Sequence, residues 1–370
     1  MMKQRKIAYI IFITIFFLAV ASCLTDSPMK LPFQTFVPPD LSDGWAIDTP
    51  DNVGIDGEVL KGIYKYVHDD NNLWQIRSLL IFRNGKLVAE SYMKDSSDRT
   101  TPRAIWSSTK QFVGILTGIA VDQGKISTSD TISAHLSQQV SRHPEKSGIT
   151  IENLLTMKSG INFNDDGYDG GPSVMAREVP SSSLDYIFGL GMRAAPGTQF
   201  HYNDGDPFIV SAIIQSATGK ATRDWAQEVL FSKIGITRLT WLNYKDGITF
   251  GGYGIKTTPR ELSKIGQLIL NDGEWDGHPI VSSDWLSKML SEKVSANEIG
   301  MRNSAFGYLW WIEPERKLSI MWGRGGQLVY INKDKELIVV ATGETNTSGD
   351  FSMSAFDVLP VYDRINNITN

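Results

Sequence analysis

Two groups of β-forming segments stand at opposite ends of this chain, and helix-forming segments fill the stretch between them. Near the N-terminal side, Ser78–Arg83 and Lys86–Tyr92 are rich in branched and aromatic residues. They flank Asn84-Gly85, a pair suited to a tight hairpin. Near the other end, Tyr308–Ile312, Leu318–Trp322, Leu328–Ile331 and Leu337–Thr342 follow one another at the spacing of an antiparallel meander. Helical periodicity marks Gly57–His68, Thr109–Gln123, Ile151–Met157, Ser183–Leu190, Phe208–Thr218, Thr222–Phe231, Pro259–Asn271 and a closing segment, Ser352–Asn366. Strands so far apart share one core only if the chain ends meet. The expectation is an α+β fold: one antiparallel sheet formed from both chain ends, flanked by helices, with an inserted mainly helical region. One domain, 51–370, is expected, with its sheet-bearing parts at about 51–100 and 300–370 and its helical part at about 101–299. A crevice between the two parts is the natural place for a site.

The first residues have another character. Lys3, Arg5 and Lys6 precede an apolar run, Ile7–Val20, and the small residues Ala21 and Ser22 lead to Cys23. That pattern is a signal peptide, and its apolar run is too short to span a membrane comfortably. Val20-Ala21-Ser22-Cys23 also resembles a bacterial lipobox, and Cys23 is the only cysteine of the chain. The expectation is a signal peptide at 1–22, lipidation at Cys23, and a Pro-, Asp-, Ser- and Thr-rich tether over 23–50. The protein would then sit in the bacterial cell envelope, held to the membrane by lipid and facing the periplasm or exterior. Leu24, where an Asp would retain a lipoprotein at the inner membrane, is compatible with an outer membrane. The formal charge is -5 with no basic block after the leader, so nucleic-acid binding has no electrostatic support.

Ser107-Ser108-Thr109-Lys110 opens one of the expected helices, and positions three apart share a helix face. Lys110 can therefore reach the Ser107 hydroxyl. A serine hydroxyl is a poor nucleophile until something takes its proton, and a lysine does so only where burial or a neighbouring cation favours its neutral form. The helix N-terminus adds N–H groups and a positive field near a developing anion. Taken alone, Ser-x-x-Lys is a weak signal that recurs by chance, and a capping Ser beside a solvated Lys is the commoner explanation.

Two later stretches change its weight. Pro196–Asp206 contains Tyr202-Asn203-Asp204-Gly205-Asp206 ahead of an apolar helix, and Trp322-Gly323-Arg324-Gly325-Gly326-Gln327 opens a strand. Ile149–Gly160 is similar to the segment "ITIRHLLTHTSG", and Tyr253-Gly254 through Trp275 to "ST-x-x-DL-x-x-x-GQLLLNGG-x-W". In this order, over about residues 50–360, the chain resembles the β-lactamase-related serine hydrolases: class C β-lactamases, penicillin-binding-protein-like D-Ala-D-Ala carboxypeptidases and related esterases. The resemblance implies Ser107 as acylated nucleophile, Lys110 as its proton partner, and Tyr202 as shared base and acid. It implies an oxyanion hole of the backbone N–H groups of Ser107 and Arg324, and substrate contacts at Asp204 and Gly325. It implies no metal and no organic cofactor.

Departures from that pattern bear on substrate. Tyr-x-x-Gly-Asp looks closer to the branch holding 6-aminohexanoate-dimer hydrolase and carboxylesterases. Lys-Thr-Gly is absent, and Arg324 stands as its possible substitute or as a solvated side chain. Asp204 places a carboxylate where an amide is usual, which would repel an anionic substrate unless a cation such as Arg324 pairs with it. Both points argue against efficient β-lactam hydrolysis.

Other candidates carry less. His68, His135, His143, His201 and His278 lack metal-ligand spacing, and His201 reads as structural. Asp165, Asp166, Tyr168 and Asp169 read as a solvated Gly-rich turn, and Trp310-Trp311 as sheet packing. No Gly-x-Ser-x-Gly elbow or dinucleotide fingerprint is present. The expected activity is acyl transfer to water from a small ester or amide. A D-Ala-D-Ala-type cell-wall peptidase, or a catalytically idle binding protein on the same scaffold, are the alternatives.

Overall fold

The computed structural model describes residues 30–163, 182–300, 304–344 and 353–370. The leader, Cys23 and the loop of Asp165, Asp166, Tyr168 and Asp169 lie outside them. Strands from both ends meet in one eight-stranded sheet, in the order Ala46–Ile47, Lys86–Tyr92, Ile76–Arg83, Leu337–Gly343, Gln327–Asn332, Leu318–Gly323, Trp311–Glu313 and Ala305–Phe306. All pairings are antiparallel except the first, where Ala46 and Ile47 run parallel to Lys86 and Leu87. The hairpin turn forms at Asn84-Gly85, with φ of 52° and 74°. Positive φ at both positions gives the twist that a two-residue hairpin needs. The closure that joins the ends is Leu337–Gly343 against Ile76–Arg83.

Both central C-terminal strands are buried on both faces, so helices must cover each side. Pro259–Leu270 packs on one face. A Cβ at Gly266 would lie 3.1 Å from Ile338, so glycine lets this helix sit close to the sheet. Gly57–Asp69 and Ala355–Asn367 cover the other face, where Tyr64 donates to Leu79 O (3.1 Å) and Tyr330 to Ala355 O (2.6 Å). The remaining helices, including Thr109–Asp122 and Gly205–Thr218, form the inserted region. No helix among the described residues is long and apolar enough to cross a membrane.

Three expectations need correction. Residues 30–50 are not a free tether. Leu31 N–H donates to Met93 O (2.6 Å), Glu90 N–H to Phe36 O (2.8 Å), and the Trp45 indole to Arg260 O (3.1 Å). Phe36 stacks on Tyr64 with centroids 5.3 Å apart. Three aromatic residues, Phe33, Phe36 and Trp45, supply apolar anchors that the polar composition of the stretch conceals. A buried Arg260–Glu90 pair (2.8 and 3.0 Å) with Asp43 at 3.1 Å fastens this strap to sheet and helix. Second, the strand expected at Tyr308 starts at Trp311, because Leu309 adopts a left-handed backbone (φ 61°) and its N–H donates to Leu155 O. Third, Thr222–Phe231 divides into an α-turn to Ala226 and a π-helical turn, Gln227–Phe231.

Candidate active site

Ser107 lies not inside the helix but in a single 3-10 turn, Trp106–Ser108, that feeds it. Trp106 takes a left-handed backbone with φ 50°, a costly conformation for a bulky residue. The turn is clamped from two sides. Ser108 Oγ donates to Gln327 O at 2.9 Å, and Ile105 N–H to Ile255 O at 3.1 Å. Gly323 presses against it so closely that a Cβ there would lie 2.0 Å from Ile105 O. Only glycine lets the strand before Arg324 approach the nucleophile's turn in this way.

From Thr109 to Ala120 the helix is buried on every side, so Lys110 is carried into the core and is wholly buried. A buried ammonium is tolerable only where acceptors surround it. Lys110 Nζ donates to Ser107 Oγ (3.0 Å), Asp204 Oδ1 (2.5 Å) and Gly252 O (2.9 Å). Gly252 escaped the sequence reading, because a backbone carbonyl carries no side-chain signal. Asp204 rests against its Cα, and a Cβ at 252 would meet the carboxylate at 2.7 Å.

Tyr202 packs its ring against Trp311, with centroids 5.5 Å apart, and beneath Lys110, whose Nζ is 4.8 Å from the ring centre. A buried polar network holds its turn. Asn203 Nδ2 donates to His201 O (2.7 Å), and Asn203 Oδ1 accepts from Asp206 N–H (2.7 Å). Ser159 Oγ donates to Asp206 Oδ1 (2.6 Å), and His201 N–H to Met157 O (2.8 Å). The Ile149–Gly160 segment therefore positions the tyrosine's loop. His201 is structural, with Nε2 2.7 Å from Phe163 O.

Burial pushes the Asp206 carboxyl up to about 7, against the opposing hydrogen bonds from Ser159 and Asn203. The folded protein then keeps this proton between about pH 4 and 7, where the unfolded chain has lost it. Stability from this group is complete below pH 4 and is lost as pH rises to about 7. Asp206→Asn cannot ionise. The stability of wild type relative to Asp206→Asn should therefore fall by roughly 3 kcal/mol between pH 5 and pH 8, read from paired urea melts.

A cleft of about 440 Å³ opens over these groups. Ser107 lies at its floor, Phe200, Tyr202, Trp311, Trp322 and Ile299 form apolar walls, and Arg324 stands at one side. Of the Trp310-Trp311 pair, Trp310 is core, as expected, but Trp311 faces the cleft. Arg324 lies over the Trp106 ring, 5.9 Å from its centre. The expected substrate contacts differ. Asp204 turns to Lys110 rather than pairing with Arg324, because the buried ammonium needs an acceptor more than the half-exposed guanidinium does. Gly325 does not line the cleft; its carbonyl accepts from Gln327 Nε2 at 3.3 Å. Among the described residues no group of three His, Cys, Asp or Glu side chains is placed to hold a metal.

The geometry has relatives. A 6-aminohexanoate-dimer hydrolase of Paenarthrobacter ureafaciens is 20% identical over 283 residues, covering 71% of each chain. The S. aureus (strain NCTC 8325 / PS 47) Protein flp is 25% identical over 198 residues, half of this chain and 39% of that one. The fold matches EstCE1, described as a hydrolase with promiscuous acyltransferase activity, with a TM-score of 0.66, 15% identity, and coverage of 83% of this chain and 97% of that one. It matches an octameric penicillin-binding-protein homologue from Pyrococcus abyssi with a TM-score of 0.60, 17% identity, and coverage of 84% and 79%. The model of the family described as Beta-lactamase matches residues 77–358, more than half of the chain and all of the stretch that builds the cleft. With the β-lactamase/transpeptidase-like sheet, that match makes the chain a member of the Beta-lactamase family of hydrolases.

Proposed function

We propose that this chain is a serine hydrolase that cleaves small ester or amide substrates through an acyl-enzyme on Ser107. The observation that carries this reading is the Ser107 hydroxyl at 3.0 Å from a buried lysine, on the floor of an aromatic-walled cleft. A nucleophile held by a buried partner, itself oriented by a third group, is the arrangement that activates a hydroxyl. Ser107 Oγ attacks the substrate carbonyl carbon, and its proton passes to the Lys110–Tyr202 pair. The carbonyl oxygen, now negative, takes hydrogen bonds from the backbone N–H groups of Ser107 and Arg324. The tetrahedral adduct collapses, the bond to the leaving oxygen or nitrogen breaks, and the stored proton returns to that atom. Water repeats the sequence against the acyl ester and frees Ser107.

The walls favour apolar groups flanking the scissile bond, since Phe200, Trp311 and Trp322 offer little to a polar chain. The similarity to a 6-aminohexanoate-dimer hydrolase and to a hydrolase with promiscuous acyltransferase activity supports hydrolytic acyl chemistry. Turnover of p-nitrophenyl acetate and butyrate beside nitrocefin tests the reading: ester turnover well above nitrocefin turnover is expected. A folded protein inert to every ester would point to a strict peptidase or an idle binding protein.

We also propose that Cys23 carries a lipid anchor at the cell envelope, on the strength of its lipobox setting. Cys23→Ser should move the protein from the membrane to the soluble fraction of a bacterial expression host. Unchanged fractionation would refute the anchor.

A further inference from the structure

Asp204 precedes the Gly205–Thr218 helix, whose first turn is capped one residue earlier by Asn203 Oδ1, 2.7 Å from Asp206 N. The Asp204 side chain caps nothing. The carboxylate turns instead to Lys110 and takes a 2.5 Å hydrogen bond from it. Gly252 makes room for this: a Cβ there would strike Asp204, and the carbonyl of the same residue accepts the ammonium's other bond. With the cap supplied by Asn203, the Asp204 carboxylate is left to contact the buried cation.

Resting on the acyl-enzyme reading above, we propose that Asp204 is a positioning residue that holds Lys110 as its ammonium, so that acylation of Ser107 switches on only toward alkaline pH. The physical basis is direct. Attack by Ser107 needs a vacancy for its proton on the Lys110–Tyr202 pair. A carboxylate in contact with Lys110 stabilises the ammonium and resists loss of the proton that must first leave. The groups that face Lys110 include Ser107, Asp204, the Gly252 carbonyl and the Tyr202 ring. Of the other nearby titratable groups, Arg324 lies over Trp106, and Asp206, held by Ser159, ionises near pH 7 in all three proteins compared below, so the difference between the acid limbs of their pH profiles reads Asp204. Asp204 is thus the one carboxylate bonded to the ammonium among the described contacts. An amide at this place would leave the hydrogen bond but remove the charge.

The test is the pH profile of Ser107 labelling by a fluorophosphonate probe, whose fluoride leaves without needing a proton. Wild type, Asp204→Asn and Asp204→Glu are compared from pH 5 to pH 10 in the full chain. The acid limb of Asp204→Asn should lie at least about one pH unit below that of wild type. At pH 6 its rate, as a fraction of its own plateau, should then be about tenfold higher. Asp204→Glu, which restores the charge, should keep the limb near the wild-type position. Coincident limbs for wild type and Asp204→Asn would overturn the proposal. Asp204→Asn removes the carboxylate paired with the buried Lys110 ammonium, so it should melt below wild type, and the limbs are compared at a temperature where both are folded; if it does not fold, Asp204→Ser decides by the same comparison of limbs. Absence of labelling in wild type at every pH would sink the acyl-enzyme reading itself, and this inference with it.

Discussion

Lys110→Ala should slow acylation of Ser107 on the order of 10³-fold or more, with the protein still folded. The substitution removes the only cation bonded to Ser107 Oγ in the described site, and with it the proposed partner for the hydroxyl proton. It has a structural cost as well. Lys110 is wholly buried, and its loss leaves a cavity and strands the Asp204 carboxylate. A stability loss of roughly 2–4 kcal/mol is expected, within the reserve of an ordinary domain. Single-turnover acylation by p-nitrophenyl butyrate, with a urea melt of the same sample, separates the two effects. Acylation at the wild-type rate in a folded Lys110→Ala protein would remove Lys110 from the mechanism.

Tyr202→Phe should lower kcat for ester hydrolysis by about 10² to 10⁴-fold while leaving KM nearly unchanged. The ring's contacts with Trp311 and Phe306, and with Lys110, survive in phenylalanine, so the cleft keeps its walls. Only the hydroxyl, proposed to share the proton, is lost. The slowing should be greater for amides than for p-nitrophenyl esters, because an amine leaves only when protonated. A large rise in KM with kcat intact would recast Tyr202 as a wall of the cleft alone.

Much of this molecule is legible in its residue order, for identifiable reasons. The hairpin at Asn84-Gly85 announces itself through residues that accept positive φ. The join between chain ends follows from two sets of strands with no other partners. Ser107, Lys110 and Tyr202 stand out in the sequence because their flanking segments keep a recognisable order, and the fold brings the three together. What escaped did so on physical grounds. Gly252 contributes through a carbonyl, which every residue has, and it reaches Lys110 across 142 positions of sequence. Trp311 reads as packing until the left-handed backbone at Leu309 delays the strand and turns one tryptophan inward and its neighbour to the cleft. The strap over 30–50 looks like a tether because three aromatic anchors are diluted by Pro, Asp and Ser. Asp204 was read against Arg324, whereas the stronger demand came from a buried ammonium whose depth only the packed helix reveals.

The pairing of a buried Lys110 with Ser107 has a consequence for the family's chemistry in this chain. Lys-Thr-Gly is absent, and the Lys110 charge is matched by Asp204, so the cleft presents Arg324 as its one cation among the lining residues. In the proposed enzyme, aromatic walls rather than a carboxylate-binding strand would dominate recognition, and turnover of neutral, apolar esters above β-lactams is the expected result.

The most direct measurement is mass-mapped labelling by a fluorophosphonate probe of the folded protein, beside Ser107→Ala. The account requires a single adduct on the peptide carrying Ser107, absent in the variant and absent after urea denaturation. A folded wild-type protein that takes no adduct at Ser107, or takes it equally after Ser107→Ala, would contradict it.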